Sequence, residues 1–299
     1  MKTKITNIST ICTWSPAEGK LVILSDIEIL VEDSTIIQIS KTVGGAEEEI
    51  DADGALITPG FVDSHTHPIF SGNRANEFGM RVSGKSYEEI ASMGGGIISS
   101  INGVRNASEE QLLEECLERI NFFLVHGTTT IEAKSGYGLT IEDELKSLKV
   151  IKRLNESSPL DIIPTFMGAH AFPPEFKNDH QGYVRLICEE MIPVVAEENL
   201  AEFCDVFCEN GYFTLNDSRK ILETAKEYGL TPRLHADEFV DSGAAGLSAE
   251  VGAISADHLM AVSNEGIQKM AEGGVIATLL PGTTLFLGKN KYAPGRKII

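Results

Sequence analysis

From Leu56 onward the chain alternates short apolar runs with longer amphipathic ones, and few architectures accept that rhythm. The short runs are ALITPGFVDSHTH, GTTTIEAKSG, LDIIPTFMGAH, FCDVFCENG, LTPRLHADE, GAISADHL and GGVIATLLPG. Between them lie Glu/Lys-rich segments such as SEEQLLEECLERINFFLVHG and LNDSRKILETAKEYGL, each with a Gly after its last apolar turn. Strand-length and helix-length segments in alternation predict a parallel α/β sheet, because parallel neighbours need a long crossover. Residues 1–57 read differently. There LVILSDIEILVEDSTIIQIS alternates β-branched and polar residues around a turn-like Glu32-Asp33-Ser34, which predicts short strands. The expected organisation is a small β domain over residues 1–57 and an α/β domain over residues 58–299.

Polar residues gather at one end of the α/β units. His65, His67, Lys134 to Tyr137, His170, Glu209, His235 to Glu238 and His258 all fall at or just past the C-terminal end of a strand segment. In a (β/α)8 barrel that face carries the active site, whereas an open doubly wound sheet concentrates its ligands at one crevice. The pattern therefore favours a barrel. The glycine-rich GGGIISS at residues 94–100 follows a helical pattern, so it is not read as a phosphate loop. Seven strand segments are present, one short of eight, and the expectation is a barrel truncated before strand 8 in a partial sequence of a longer protein.

Composition narrows the partners. The 299 residues carry a formal net charge of −19, and no Lys/Arg cluster stands out, which argues against nucleic acid and anionic membrane. No apolar run reaches transmembrane length, and the N-terminal MKTKITNISTICTWS lacks the apolar block of a signal peptide. The five cysteines, Cys12, Cys116, Cys188, Cys204 and Cys208, are scattered and form no C-x-x-C pair. They read as reduced thiols of a cytoplasmic protein rather than a zinc site.

The histidines carry the sharper signal. His65 and His67 are two residues apart at a strand end, so both imidazoles share one face. A hydrolytic metal site needs about three protein ligands and an open position for water. His65 and His67 can supply two ligands and His235 a third, with His258 ending the next strand. Five of the seven histidines sit at strand ends; His126 and His180 do not, and are set aside. Lys134 leaves two readings, a carboxylated bridge between metals or a salt-bridging strand-end residue, and the second is preferred.

The run PGFVDSHTH resembles the first-strand signature of the amidohydrolase superfamily. SGNRANEF, EAKSGYGL, PTFMGAHAFP, YVRLICEEMIP, LHADEF, SADHL and LLPG resemble, in order, the imidazolonepropionase family within it, from roughly residue 20 to the end. The resemblance implies a distorted TIM barrel with a small β-sandwich portion and one zinc or iron ion. It also implies hydrolysis of 4-imidazolone-5-propanoate, a small-molecule substrate, to N-formimidoyl-L-glutamate in histidine degradation, and it allows a homodimer. The alternatives are another cyclic amidase or deaminase of the superfamily, or an inactive fragment.

Carried over by motif, the resemblance makes His65, His67 and His235 metal ligands. It makes Arg74, Tyr137, His170 and Glu238 substrate-binding residues, with Glu238 and His258 catalytic beside the reacting ring. Arg74 offers a planar fork for a carboxylate, and its other reading is an exposed loop arginine. Tyr137 lies between two glycines that let its ring approach a ligand, or simply pack a turn. His170 is expected to donate a hydrogen bond to a substrate oxygen, or to cap a loop. Glu238 can shuttle a proton; His258 can hold or deprotonate a water, or steady an oxyanion. The family's fourth ligand, an aspartate ending the eighth strand, is missing from these 299 residues, as expected of a partial sequence.

Overall fold

The β-branched and polar alternation before position 57 forms seven short strands in the computed structural model, which describes residues 1–85, 89–90 and 93–299. They are β1 (Lys2–Thr6), β2 (Thr10–Ser15), β3 (Lys20–Leu24), β4 (Glu28–Glu32), β5 (Thr35–Ser40), β6 (Glu48–Asp51) and β7 (Leu56–Ile57). One sheet has the order β5-β4-β1-β6 and a second has the order β3-β2-β7. Ile8, Ile11 and Ile29 are buried together as the core of this part. Asp33 turns β4 into β5 with a φ of 53°, a left-handed conformation that Asp tolerates better than most residues. The chain divides into two units, Met1–Phe61 and Val62–Ile299.

In the second unit every apolar run becomes a strand: β8 (Phe61–Thr66), β9 (Thr128–Lys134), β10 (Asp161–Ala169), β11 (Phe203–Cys208), β12 (Thr231–Ala236), β13 (Ser255–His258) and β14 (Ile276–Thr278). They join in chain order, and each registered pair from β9 to β14 is parallel. Five steps of about 4.8 Å would put β8 and β13 about 24 Å apart in a flat sheet. Instead His65 on β8 meets Asp257 on β13 at 2.6 Å, and Arg233 on β12 donates to the Ser64 carbonyl of β8 at 2.7 Å. The sheet is therefore rolled, with seven strands of a (β/α)8 barrel; among the described residues no strand pairs with the outer edges of β8 and β14.

The crossover helices start where side chains satisfy their free N–H groups. Ser108, Thr140 and Ser263 cap the helices Glu109–Val125, Ile141–Ser157 and Asn264–Gly273, and Thr214 with Asp217 forms a capping box for Leu215–Glu227. Gly127 and Gly229 follow two of these helices at φ of 83° and 86°, the left-handed stop that glycine takes without strain. The helices bury Leu112, Ile120, Leu148, Ile151, Ile221 and Leu222 against Ile131, Ile162, Val206 and Leu234 of the strands. Before Pro193 the backbone widens into a π turn over Ile187–Met191, which suits a residue that has no N–H for the regular ladder. All five cysteines are free thiols. No helix among the described residues is long and apolar enough to cross a membrane.

Candidate metal centre

The C-terminal ends of the barrel strands surround a cavity of about 360 Å³. His65, His67, Arg74, Tyr137, His170, His235, Glu238 and His258, the eight residues expected to bind metal or substrate or to act in catalysis, line it. Strand periodicity explains the first pair: His65 is near the end of β8, His67 just past it, and both project to the same side. His235 comes from β12 and His258 from the last position of β13. His258 and Leu259 hold φ of 73° and 58°, so the chain leaves β13 through two left-handed residues that are not glycine.

The imidazoles crowd one another. His67 Nε2 lies 3.3 Å from His65 Nε2 and 3.3 Å from His235 Nε2. Two groups of three histidines bring nitrogens within 4.8 Å: His65, His235 and His258, and His67, His170 and His235. Burial pushes His65 down to about 3, helped by the neighbouring Lys134 and His235. Burial and the neighbouring His235 do the same to His170, also to about 3. Burial likewise holds His67 and His258 well below the usual imidazole range. These rings are neutral near pH 7 and offer lone pairs.

Beneath them lies a layer of buried charges that the sequence reading did not single out as a group. Asp205 Oδ1 accepts from His235 Nδ1 at 3.0 Å, and Asp257 Oδ2 from His65 Nδ1 at 2.6 Å. Lys134 Nζ reaches Glu132 and Asp205 at 2.7 Å each, and Arg233 reaches Asp257 at 3.0 Å. Lys134 thus takes the salt-bridging role. Burial alone would raise both aspartates; His235 and Lys134 hold Asp205 far below the carboxylate range, and the bond from His65 does the same for Asp257. Lys134 is raised, because Asp205 and Glu132 outweigh its burial. The signal available in the sequence was charge at every second position of apolar strands, Glu132 with Lys134 and Arg233 with His235.

The other cavity residues are held as firmly. Gly136 has a φ of 104°, and a Cβ there would come within 2.9 Å of the Met167 carbonyl and 3.1 Å of His170 Nδ1. The buried Glu144 carboxylate, another residue that sequence reasoning missed, accepts N–H bonds from Gly136, Gly138 and Leu139, which pins the loop carrying Tyr137. His170 Nδ1 lies 3.0 Å from the Gly136 carbonyl. A carbonyl only accepts, so Nδ1 carries the proton and the neutral ring presents Nε2 as an acceptor. In that tautomer Nε2 accepts, whereas the sequence reading expected His170 to donate. Arg74 is tied to Glu77 through Nε at 2.8 Å and Nη2 at 2.6 Å. Glu238 lies two residues past β12, its Oε1 3.5 Å from His258 Nδ1, and burial raises it to about 7.

The donor set fits a transition-metal ion. A 3.3 Å edge belongs to a tetrahedron whose centre is about 2.0 Å from each corner, the usual zinc–imidazole distance. The Nδ1 atoms of His65 and His235 bond to Asp257 and Asp205, and their Nε2 atoms face His67. The residues present can hold one cation at the cavity floor.

No family model matches the chain. Among curated proteins, it is 54% identical over 255 residues to the imidazolonepropionase of Geobacillus thermodenitrificans (strain NG80-2), covering 85% of this chain and 60% of that protein. It is 47% identical over 313 residues to the imidazolonepropionase of Clostridium tetani (strain Massachusetts / E88), covering 99% of this chain and 74% of that protein. The chain thus spans 60% of the length of the first of these relatives and 74% of the second. Among solved structures, a 5-methylcytosine deaminase from Klebsiella pneumoniae liganded with 5-fluorocytosine superposes with a TM-score of 0.69 at 16% identity, over 99% of this chain and 70% of that one. A guanine deaminase from C. acetobutylicum with bound guanine gives 0.68 at 15% identity, over 100% and 72%. At those identities the likeness is one of fold.

Proposed function

Because the chain belongs to the imidazolonepropionase family, we propose that it serves the hydrolytic ring opening of 4-imidazolone-5-propanoate to N-formimidoyl-L-glutamate. The observation that carries the reading is that His67 Nε2 lies 3.3 Å from both His65 Nε2 and His235 Nε2, in a cavity also lined by a guanidinium, a phenol and a buried carboxyl group. In this proposal His65, His67 and His235 hold one zinc or iron ion. Such an ion, when bound, supplies Lewis-acid polarisation of a carbonyl and a water acidified towards neutral pH.

The chain's own residues account for the rest. Arg74 binds the propanoate carboxylate through its guanidinium, which Glu77 orients, and Tyr137 closes over the same end of the substrate. His170 accepts a ring N–H through Nε2, which orients the lactam carbonyl towards the floor of the cavity. Glu238 takes the proton that water loses as its oxygen bonds to that carbonyl carbon. It then gives the proton to the ring nitrogen as the C–N bond breaks. His258, 3.5 Å from Glu238, steadies the protonated carboxyl group between the two transfers.

The test is turnover of 4-imidazolone-5-propanoate by metal-loaded protein, both as this chain and continued to the length of its relatives. Ring opening in the longer protein is expected. Full metal occupancy there without ring opening would overturn the reading.

A further inference from the structure

Two lines of contact run from buried cations to the histidine cluster, in the same order. Lys134 Nζ lies 2.7 Å from Asp205 Oδ2, and Asp205 Oδ1 faces His235 Nδ1 at 3.0 Å. Arg233 Nη2 lies 3.0 Å from Asp257 Oδ2, and that oxygen faces His65 Nδ1 at 2.6 Å. We propose that Asp205 and Asp257, each held by its own buried cation, are positioning residues that lock His235 and His65 as Nδ1–H tautomers before any metal arrives.

A neutral imidazole carries its proton on either nitrogen, and only the ring with a bare Nε2 can ligate through that atom. An ionised carboxylate accepts and cannot donate, so its partner nitrogen must hold the proton. Both aspartates are fully enclosed, and neither can turn away without breaking a buried ion pair. Asp205 Oδ1 is fixed further by the backbone N–H of His235 at 3.1 Å. His67 is the contrast: its buried Nδ1 has no hydrogen-bond partner among the described residues. Two ligands are thus preset and the third takes its tautomer from the ion.

The inference rests on the proposed metal site, and the experiment separates the two. Nitrogen-15 spectra of histidine-labelled, metal-free chain report each tautomer, and competition with a chelator for Zn2+ reports affinity. His65 and His235 are expected as Nδ1–H in the wild-type chain, with Asp205→Asn and Asp257→Asn each weakening Zn2+ binding by about 10- to 100-fold. Affinities within twofold of wild type would overturn the inference. Should the variants fail to fold, the wild-type spectrum decides: Nε2–H as the main form at His65 or His235 overturns it. Both rings as Nδ1–H in a chain that takes up no Zn2+ would support the locking and refute the metal site instead.

Discussion

Lys134 Nζ and Asp205 Oδ2 lie 2.7 Å apart inside the barrel, and neither side chain is exposed to solvent. The same ammonium also meets Glu132 at 2.7 Å. Taking it away leaves two carboxylates facing each other without water, a far larger loss than that of a surface pair. Lys134→Met is expected to destabilise the chain by about 3–5 kcal/mol in urea unfolding. A loss below about 1 kcal/mol would mean that the carboxylates find other partners.

Acid should weaken the metal-free protein through its buried histidines. His65 and His170 have folded values of about 3, against 6.5 for an ordinary imidazole. Between those values the unfolded chain binds protons that the folded chain refuses, so stability falls as pH drops below about 6.5 and the loss levels off near 3. Melting temperatures measured from pH 7.5 to 4 should show this decline, and His170→Gln should make it shallower. An unchanged slope in the variant would contradict the prediction.

Glu238 should write itself into the pH–rate profile. A carboxylate that takes a proton from water must be ionised, and burial holds this one at about 7. Turnover should therefore rise with pH through an apparent pKa near 7. Glu238→Gln should lower kcat by roughly 10²- to 10⁴-fold while metal content, read by elemental analysis, stays the same.

Arg74 lines the cavity and is oriented by Glu77. A charged hydrogen bond to a substrate carboxylate contributes about 1.5–3 kcal/mol. Arg74→Ala should thus cut kcat/KM for 4-imidazolone-5-propanoate by roughly 10- to 150-fold. An imidazolone without the propanoate should be turned over equally by variant and wild type. Equal losses on both substrates would place the arginine in a structural role.

Much of the cavity was legible because strand ends and histidine spacing are local features. The pair His65 and His67 follows from a two-residue repeat, and seven apolar runs became seven strands. Asp205 and Asp257 were not legible as partners of His235 and His65, because they sit inside the apolar runs FCDVFC and SADH. Their meaning depends on which strand lies alongside and on how far the sheet rolls. The same holds for Glu144, whose part in holding the Gly136 to Leu139 loop requires a helix to fold back on the strand before it. The tautomer of His170 depends on a single backbone carbonyl.

The corner after β13 sets endurance against chemistry. Two side-chain-bearing residues in succession, His258 and Leu259, occupy a conformation that costs each about 1–2 kcal/mol. Glycine at position 258 would relieve that expense and delete the ring. A search for heat-tolerant variants that ignores turnover should therefore drift towards glycine at this corner and return hardier, idle proteins.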